Sequence, residues 1–302
     1  MEKDEKPFSY LWPLCALVQA ANEMEAFLPG TTYLQAPVRT INKYYSTRPP
    51  HAGYDSYVVE NGGGDRFYDD NQWIGIAYMD AYNRTRDTQY LTRSKDIYDF
   101  MMTGFDMASG GGIYWKEFDK STKNTCSNGP GILLALQLYQ ATNQRQYLDT
   151  ALLLYAWTTK NLLSPEGLYF DAIQLPSGKI DKRIYTYNTG TMLQGNVLLY
   201  KITRDKQYLE AARQLADRSL DYFFKEETFP ENHWFNAVLL RGYEALFRVD
   251  NEKKYINAFV TYANKIWQSQ TDVNKLIGLK KNKSLIDQAG YLEIIARLAK
   301  YD

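Results

Sequence analysis

The chain has 302 residues, 45% of them hydrophobic, enough to bury roughly 75% of the unfolded surface and form a large core. Its 35 basic and 35 acidic side chains cancel, with no long block of like charge, so neither nucleic acid nor an anionic membrane is the expected partner and a neutral one is. Two cysteines (Cys15, Cys126) and two histidines (His51, His233) are too few for a disulfide framework or a three-histidine metal centre, and neither a metal nor a cofactor is expected.

In chain order, the start MEKDEKPFSYLWPLCALVQAANE lacks the basic segment and continuous apolar core of a secretory leader. No stretch reaches the roughly 18 apolar residues of a membrane span. A helical pattern, apolar on nearly all sides, covers Trp12 to Met24 and recurs at Asn71 to Arg84, Gly129 to Ala141, Thr189 to Ile202, Trp234 to Phe247 and Leu285 to Leu298. Helices of this kind are buried, whereas those with one polar face lie outside. Between them stand GTTYLQAP, TRDTQYLT, TNQRQYLD, TRDKQYLE and DNEKKYIN, whose tyrosines (Tyr33, Tyr90, Tyr147, Tyr208, Tyr255) are 57, 57, 61 and 47 residues apart. Such a period marks stacked helical hairpins, and the last four tyrosines are expected to pack in the hairpin turns. Glycine and proline clusters such as ENGGGDR, ASGGGIYW and LPSGKID read as loops between hairpins. Residues 1–302 thus predict one all-α domain, an (α/α)6 barrel with six inner and five outer helices. One outer helix is missing at its N-terminal side.

In such a ring the inner helices run parallel, and the loops entering them meet at one end. That gathers Tyr10 and Trp12, Tyr68 to Asp70, Ser127 and Asn128, Tyr187 and Asn188, and His233 and Trp234. Rings that stack on sugars, with amides and carboxylates that bond hydroxyls, suit a carbohydrate. Asn128, Asn188 and Ser284 read equally well as helix N-caps. Adjacent Asp69 and Asp70 carry the chemistry, because glycoside hydrolysis needs one carboxyl to protonate the leaving oxygen while another stays ionised, and retaining enzymes hold the two roughly 5 to 5.5 Å apart. A helix N-terminus stabilises one anion, and that charge raises the neighbour's pKa. The segment GGGIYWKEFDKSTKNTCSN offers Trp115, Lys116 and Asn124 either as substrate contacts or as a structural hairpin over the ring. Gly62 to Gly64 lack the Lys-Ser or Lys-Thr of a phosphate loop.

The ordered motifs YLWPLCALVQA, YDDNQWIGIAYMDAY, GGIYWKE, KNTCSNGPGILLALQLYQATNQRQYL, EGLYFDAI and YTYNTGTMLQGNVLLYKIT resemble those of glycoside hydrolase family 76, the endo-α-1,6-mannanases. The resemblance implies a retaining mechanism without metal or organic cofactor, with Asp69 as nucleophile and Asp70 as acid/base. It also implies a mannose-containing oligo- or polysaccharide as partner, action outside the cytoplasm, and a monomer. The chain departs from the family in lacking an outer helix before YLWP and in carrying HWFNAVLLRGYEALF at the fifth inner helix, which leaves subsite specificity and endo or exo action open. Competing readings are a non-catalytic carbohydrate-binding toroid, a glycosidase for another α-linked glycan, and a helical scaffold for protein partners.

Overall fold

A computed structural model describes residues 7–301; the charged stretch 1–6, on which part of the leader reading rests, lies outside the described residues. Six helices surround an axis: α1 (Leu11–Phe27), α3 (Tyr68–Thr85), α5 (Thr125–Thr142), α7 (Thr186–Thr203), α9 (His233–Asp250) and α11 (Leu285–Leu298). Each touches the next, and α11 packs on α1 to close the ring. Outside lie α2 (Gln35–Ile41), α4 (Thr88–Met102), α6 (Arg145–Leu162), α8 (Lys206–Phe223) and α10 (Lys254–Gln270). The expected toroid is thus present, with eleven α-helices among the described residues. The inner/outer division follows composition. Nearly every residue of α5 from Thr125 to Leu138 is buried, whereas α8 buries only Ala212, Leu215, Ala216, Ser219 and Phe223.

The inner helices approach closely where side chains are absent. A Cβ on Gly190 would lie 2.5 Å from the Val238 carbonyl oxygen, and one on Gly290 would lie 2.1 Å from the Trp234 nitrogen. The repeat tyrosines pack ring against ring: Tyr90 on Tyr78, Tyr147 on Tyr98, Tyr208 on Tyr155 and Tyr255 on Tyr243, with centroids 4.7–5.3 Å apart.

Two sheets were not anticipated in extent. β1 (Tyr45–Ser46) pairs with β2 (Gly53–Tyr54), and β3 (Tyr114–Lys116), β4 (Asp119–Asn124), β5 (Phe170–Gln174) and β6 (Ile180–Ile184) form an antiparallel meander in that order. LPSGKID is accordingly the turn of the β5–β6 hairpin rather than a plain loop between helical hairpins. The meander lies at the end where the inner helices begin, because β4 runs directly into α5 and β6 leads into α7. No described helix is long and apolar enough to cross a membrane.

Candidate active site

Asp69 and Asp70 occupy the first turn of α3, and the preceding Phe67 supplies no side-chain cap. Both carboxyls therefore sit at the positive end of the α3 dipole. The chain entering α3 is held from three sides. Buried Arg66 grips Glu117 with two bonds of 2.7 and 2.5 Å and donates to the carbonyls of Arg48, Pro49 and His51. An antiparallel bridge joins Phe67 to Lys116. Asn71 clasps Tyr54, accepting from its N–H at 2.6 Å and donating to its carbonyl at 3.0 Å.

Above the pair opens a cavity of about 870 Å³. Its floor includes Asp69, Asp70 and Cys126, and aromatic walls are built by Trp12, Trp73, Trp115, Tyr187, Trp234 and Phe235. Tyr187 lies 4.0 Å, centroid to centroid, from Phe235, and the Trp234 ring contacts those of Trp12 and Trp73. This is the size and lining of a small-ligand site.

The two carboxyls are electrostatically unequal. Burial pushes Asp69 up, but the Cys126 thiol, the Asp70 backbone N–H and the Trp115 indole, whose Nε1 donates at 3.2 Å, oppose the rise and leave it at about 6. Asp70 is driven well above the ordinary carboxyl range by burial and then by the charge of Asp69, with no hydrogen bond to relieve it. Burial and the charge of Asp69 therefore both favour the protonated form of Asp70.

Of the other residues expected at the site, Trp115, Asn124, Tyr187 and Trp234 line the cavity. The Asn124 Oδ1 and Trp234 Nε1 atoms are buried without a protein hydrogen bond. Tyr68 does not reach the cavity, since its ring packs on Phe100 and its hydroxyl lies 3.2 Å from Thr103 Oγ1. Asn71 and Asn128 are fully buried backbone clasps, not sugar contacts. Asn128 holds Ile113 as Asn71 holds Tyr54, and each also donates to the carbonyl four residues back. Lys116 is drawn aside by Asp65 at 3.1 Å, because successive strand residues face opposite ways and Trp115 takes the inward side. Asn188 is buried beneath the wall, donating to Asp171 at 3.3 Å. His233 turns to Tyr262, Nδ1 to Oη 2.6 Å.

Sequence reasoning passed over Cys126, Phe235, Asp171, Asp181, Arg183 and Tyr185, which also line the cavity. Asp171, Asp181 and Arg183 come from β5 and β6. Asp171 is nearly buried and raised by its burial, against the pull of Arg183 at 3.5 Å. EGLYFDAI contains Asp171, but the strand buries Asp171, Ala172 and Ile173 in succession, so no alternation set the acid apart in the sequence.

The fold and site define a toroidal protein whose axial cavity presents two adjacent carboxyls among aromatic rings. The chain belongs to glycosyl hydrolase family 76, whose family model matches residues 2–300. A family 76 glycoside hydrolase from a bovine Bacteroides thetaiotaomicron strain superposes with a TM-score of 0.91 at 27% identity, covering 99% of this chain and 72% of that one. The family 76 mannosidase of B. thetaiotaomicron VPI-5482 gives 0.89 at 27% identity, covering 99% and 90%. Mannan endo-1,6-alpha-mannosidase DCW1 of Saccharomyces cerevisiae is 30% identical over 186 residues, 54% of this chain and 41% of that protein. The aligned stretches span 39–43% of the length of the first three curated relatives.

Proposed function

We propose that the protein hydrolyses α-1,6-mannosidic linkages in mannan-type polysaccharide with retention of configuration. The carrying observation is the asymmetry of the carboxyl pair: Asp69 Oδ2 accepts the Trp115 indole N–H, which favours its anion, and Asp70 is raised by burial and by the charge of Asp69, as a nucleophile and a proton donor require. In the first displacement an Asp69 oxygen attacks the anomeric carbon while Asp70 gives its proton to the departing glycosidic oxygen. A C–O bond to the carboxylate forms as the glycosidic C–O bond breaks. In the second, Asp70 takes a proton from water, whose oxygen attacks the same carbon and releases Asp69. Trp115 both orients Asp69 through its indole N–H and offers its exposed face to the sugar. Trp234 Nε1 and Asn124 Oδ1 offer a donor and an acceptor to hydroxyls, and Tyr187 adds an aromatic wall.

Asp69→Asn and Asp70→Asn are each expected to lower kcat on linear α-1,6-mannan by a factor of roughly 10³ or more, with melting temperatures at or above wild type because a buried charge or its partner is removed. With an activated aryl mannoside, whose leaving group needs no proton, Asp70→Asn is expected to form the glycosyl-enzyme and Asp69→Asn is not. Full turnover of mannan by either variant would overturn the mechanism. Release of products only from a different α-linked polymer would overturn the substrate.

A further inference from the structure

The chain is neutral as a whole, but the segment 271–284 between α10 and α11 carries four lysines against the single carboxylate Asp272. It leads into an inner helix and so lies on the same end of the ring as the cavity, beside the Trp234 sector: Asp287 in the first turn of α11 accepts from the His233 N–H at 3.2 Å. Val273 is 94% and Leu279 82% exposed, and Lys275, Lys280 and Lys281 are exposed around them. These apolar tips are held out by an ordered frame. Ile277 is buried and clasped by Gln288, which accepts from its N–H at 2.9 Å and donates to its carbonyl at 2.7 Å. Asp272 accepts from the N–H groups of Asn274 and Leu276 and pairs with Lys283 at 3.4 Å. The one acidic group is thus spent inside the loop, while the unopposed charge facing outward is positive.

We propose that this loop is a docking surface for an anionic lipid bilayer, with Val273 and Leu279 entering the headgroup–acyl boundary and Lys275, Lys280 and Lys281 meeting lipid phosphates and carboxylates. Branched aliphatic tips beside compact ammonium charges suit that boundary, whereas a polysaccharide calls for flat rings and hydrogen-bonding amides. Docked so, the cavity mouth faces the membrane side of the molecule, within reach of glycans displayed on that surface.

The test is co-sedimentation of the whole protein with vesicles of pure phosphatidylcholine and of phosphatidylcholine containing about 30 mol % phosphatidylserine. Wild type is expected to partition onto the anionic vesicles at least roughly tenfold more strongly than onto the neutral ones, and less so as salt rises. The paired substitutions Lys280→Glu with Lys281→Glu, and separately Val273→Ser with Leu279→Ser, are each expected to remove most of that excess, with far-UV circular dichroism and activity on a soluble substrate unchanged. Equal partitioning onto both vesicle types, or anionic binding that survives both pairs, overturns the proposal. So does retention on a soluble polyanion such as heparin without vesicle binding, which would make the loop a polyanion site.

Discussion

At the scale of single residues, two neighbours of identical chemistry acquire different environments from their surroundings. Asp69 Oδ2 receives the Trp115 indole N–H at 3.2 Å, whereas its Oδ1 is buried without a protein partner, and the indole does not reach Asp70. On the proposed mechanism the working form is the singly protonated pair, which gives the pH dependence its sign. If Asp69 is the nucleophile and Asp70 the acid, kcat/KM is expected to climb as pH rises through about 6, where Asp69 ionises, and to fall at higher pH, where Asp70 gives up its proton. A pH–rate profile on α-1,6-mannan is expected to show these two limbs, and Trp115→Phe, which deletes the indole donor, to move the acidic limb upward. The adjacency of the two acids at a helix start is plain in the sequence. Which one keeps the proton is not, because Trp115 reaches Asp69 across 46 positions of sequence.

Among the elements, the most informative devices are the asparagine clasps. Asn71 and Asn128 hold the same place in their repeats, the fourth residue of α3 and of α5, and each joins an inner helix to the backbone of the segment that precedes it. Removing such an amide strips a buried N–H of its side-chain acceptor and takes one donor from each of two carbonyls. Asn71→Ala and Asn128→Ala are each expected to cost about 2–3 kcal/mol in urea unfolding, with Asn71→Ala also raising KM because α3 carries the acid pair. As sequence, these asparagines were indistinguishable from sugar contacts or caps, since all three uses favour an amide near a helix start. Their equal phase in the repeat was the signal that separates them. The β3–β6 meander was hidden for another reason. Its strands are short, and β4 (DKSTKN) is polar throughout, with Lys123 buried where it bonds Asp106 and the carbonyls of Ala108 and Gly111, so no apolar alternation marks it.

Over the whole molecule, the ring is sealed at the seam where its last inner helix meets its first. Arg297 of α11 bonds Glu293 at 2.7 Å, Glu244 of α9 at 2.7 Å and Glu23 of α1 at 2.9 Å, while Arg241 holds Glu293 through two bonds. Gln19 and Gln137 extend this buried polar plug to Asp80 on α3. Arg297→Met strands several buried carboxylates, so a loss of about 3–5 kcal/mol and a fall in Tm of roughly 10 °C are expected by calorimetry. Burial would raise Glu23, but Arg297 and Lys300 hold it down to about 2, so its contribution is complete above its ordinary 4.5 and disappears as pH falls towards 2. Asp80 has the opposite sign. Burial and Glu23 raise it to about 6, so it stabilises below its ordinary 3.8 and loses that contribution as pH climbs through 6. Asp80→Asn is accordingly expected to raise Tm by a few degrees at pH 8, with the gain shrinking or reversing at pH 4.5. A gain of equal size at both values would refute the assignment.

The sequence alone determined the repeat, the division of helices into inner and outer, and the acid pair, because each is written in local pattern: apolar coverage, a recurring tyrosine, two adjacent carboxyls. Tertiary structure decided which aromatic rings and amides face the cavity, which carboxyl the Trp115 indole reaches, and how the ring closes. Those depend on groups far apart in the chain that only packing brings within hydrogen-bonding distance, where burial and a neighbour's charge set the protonation state.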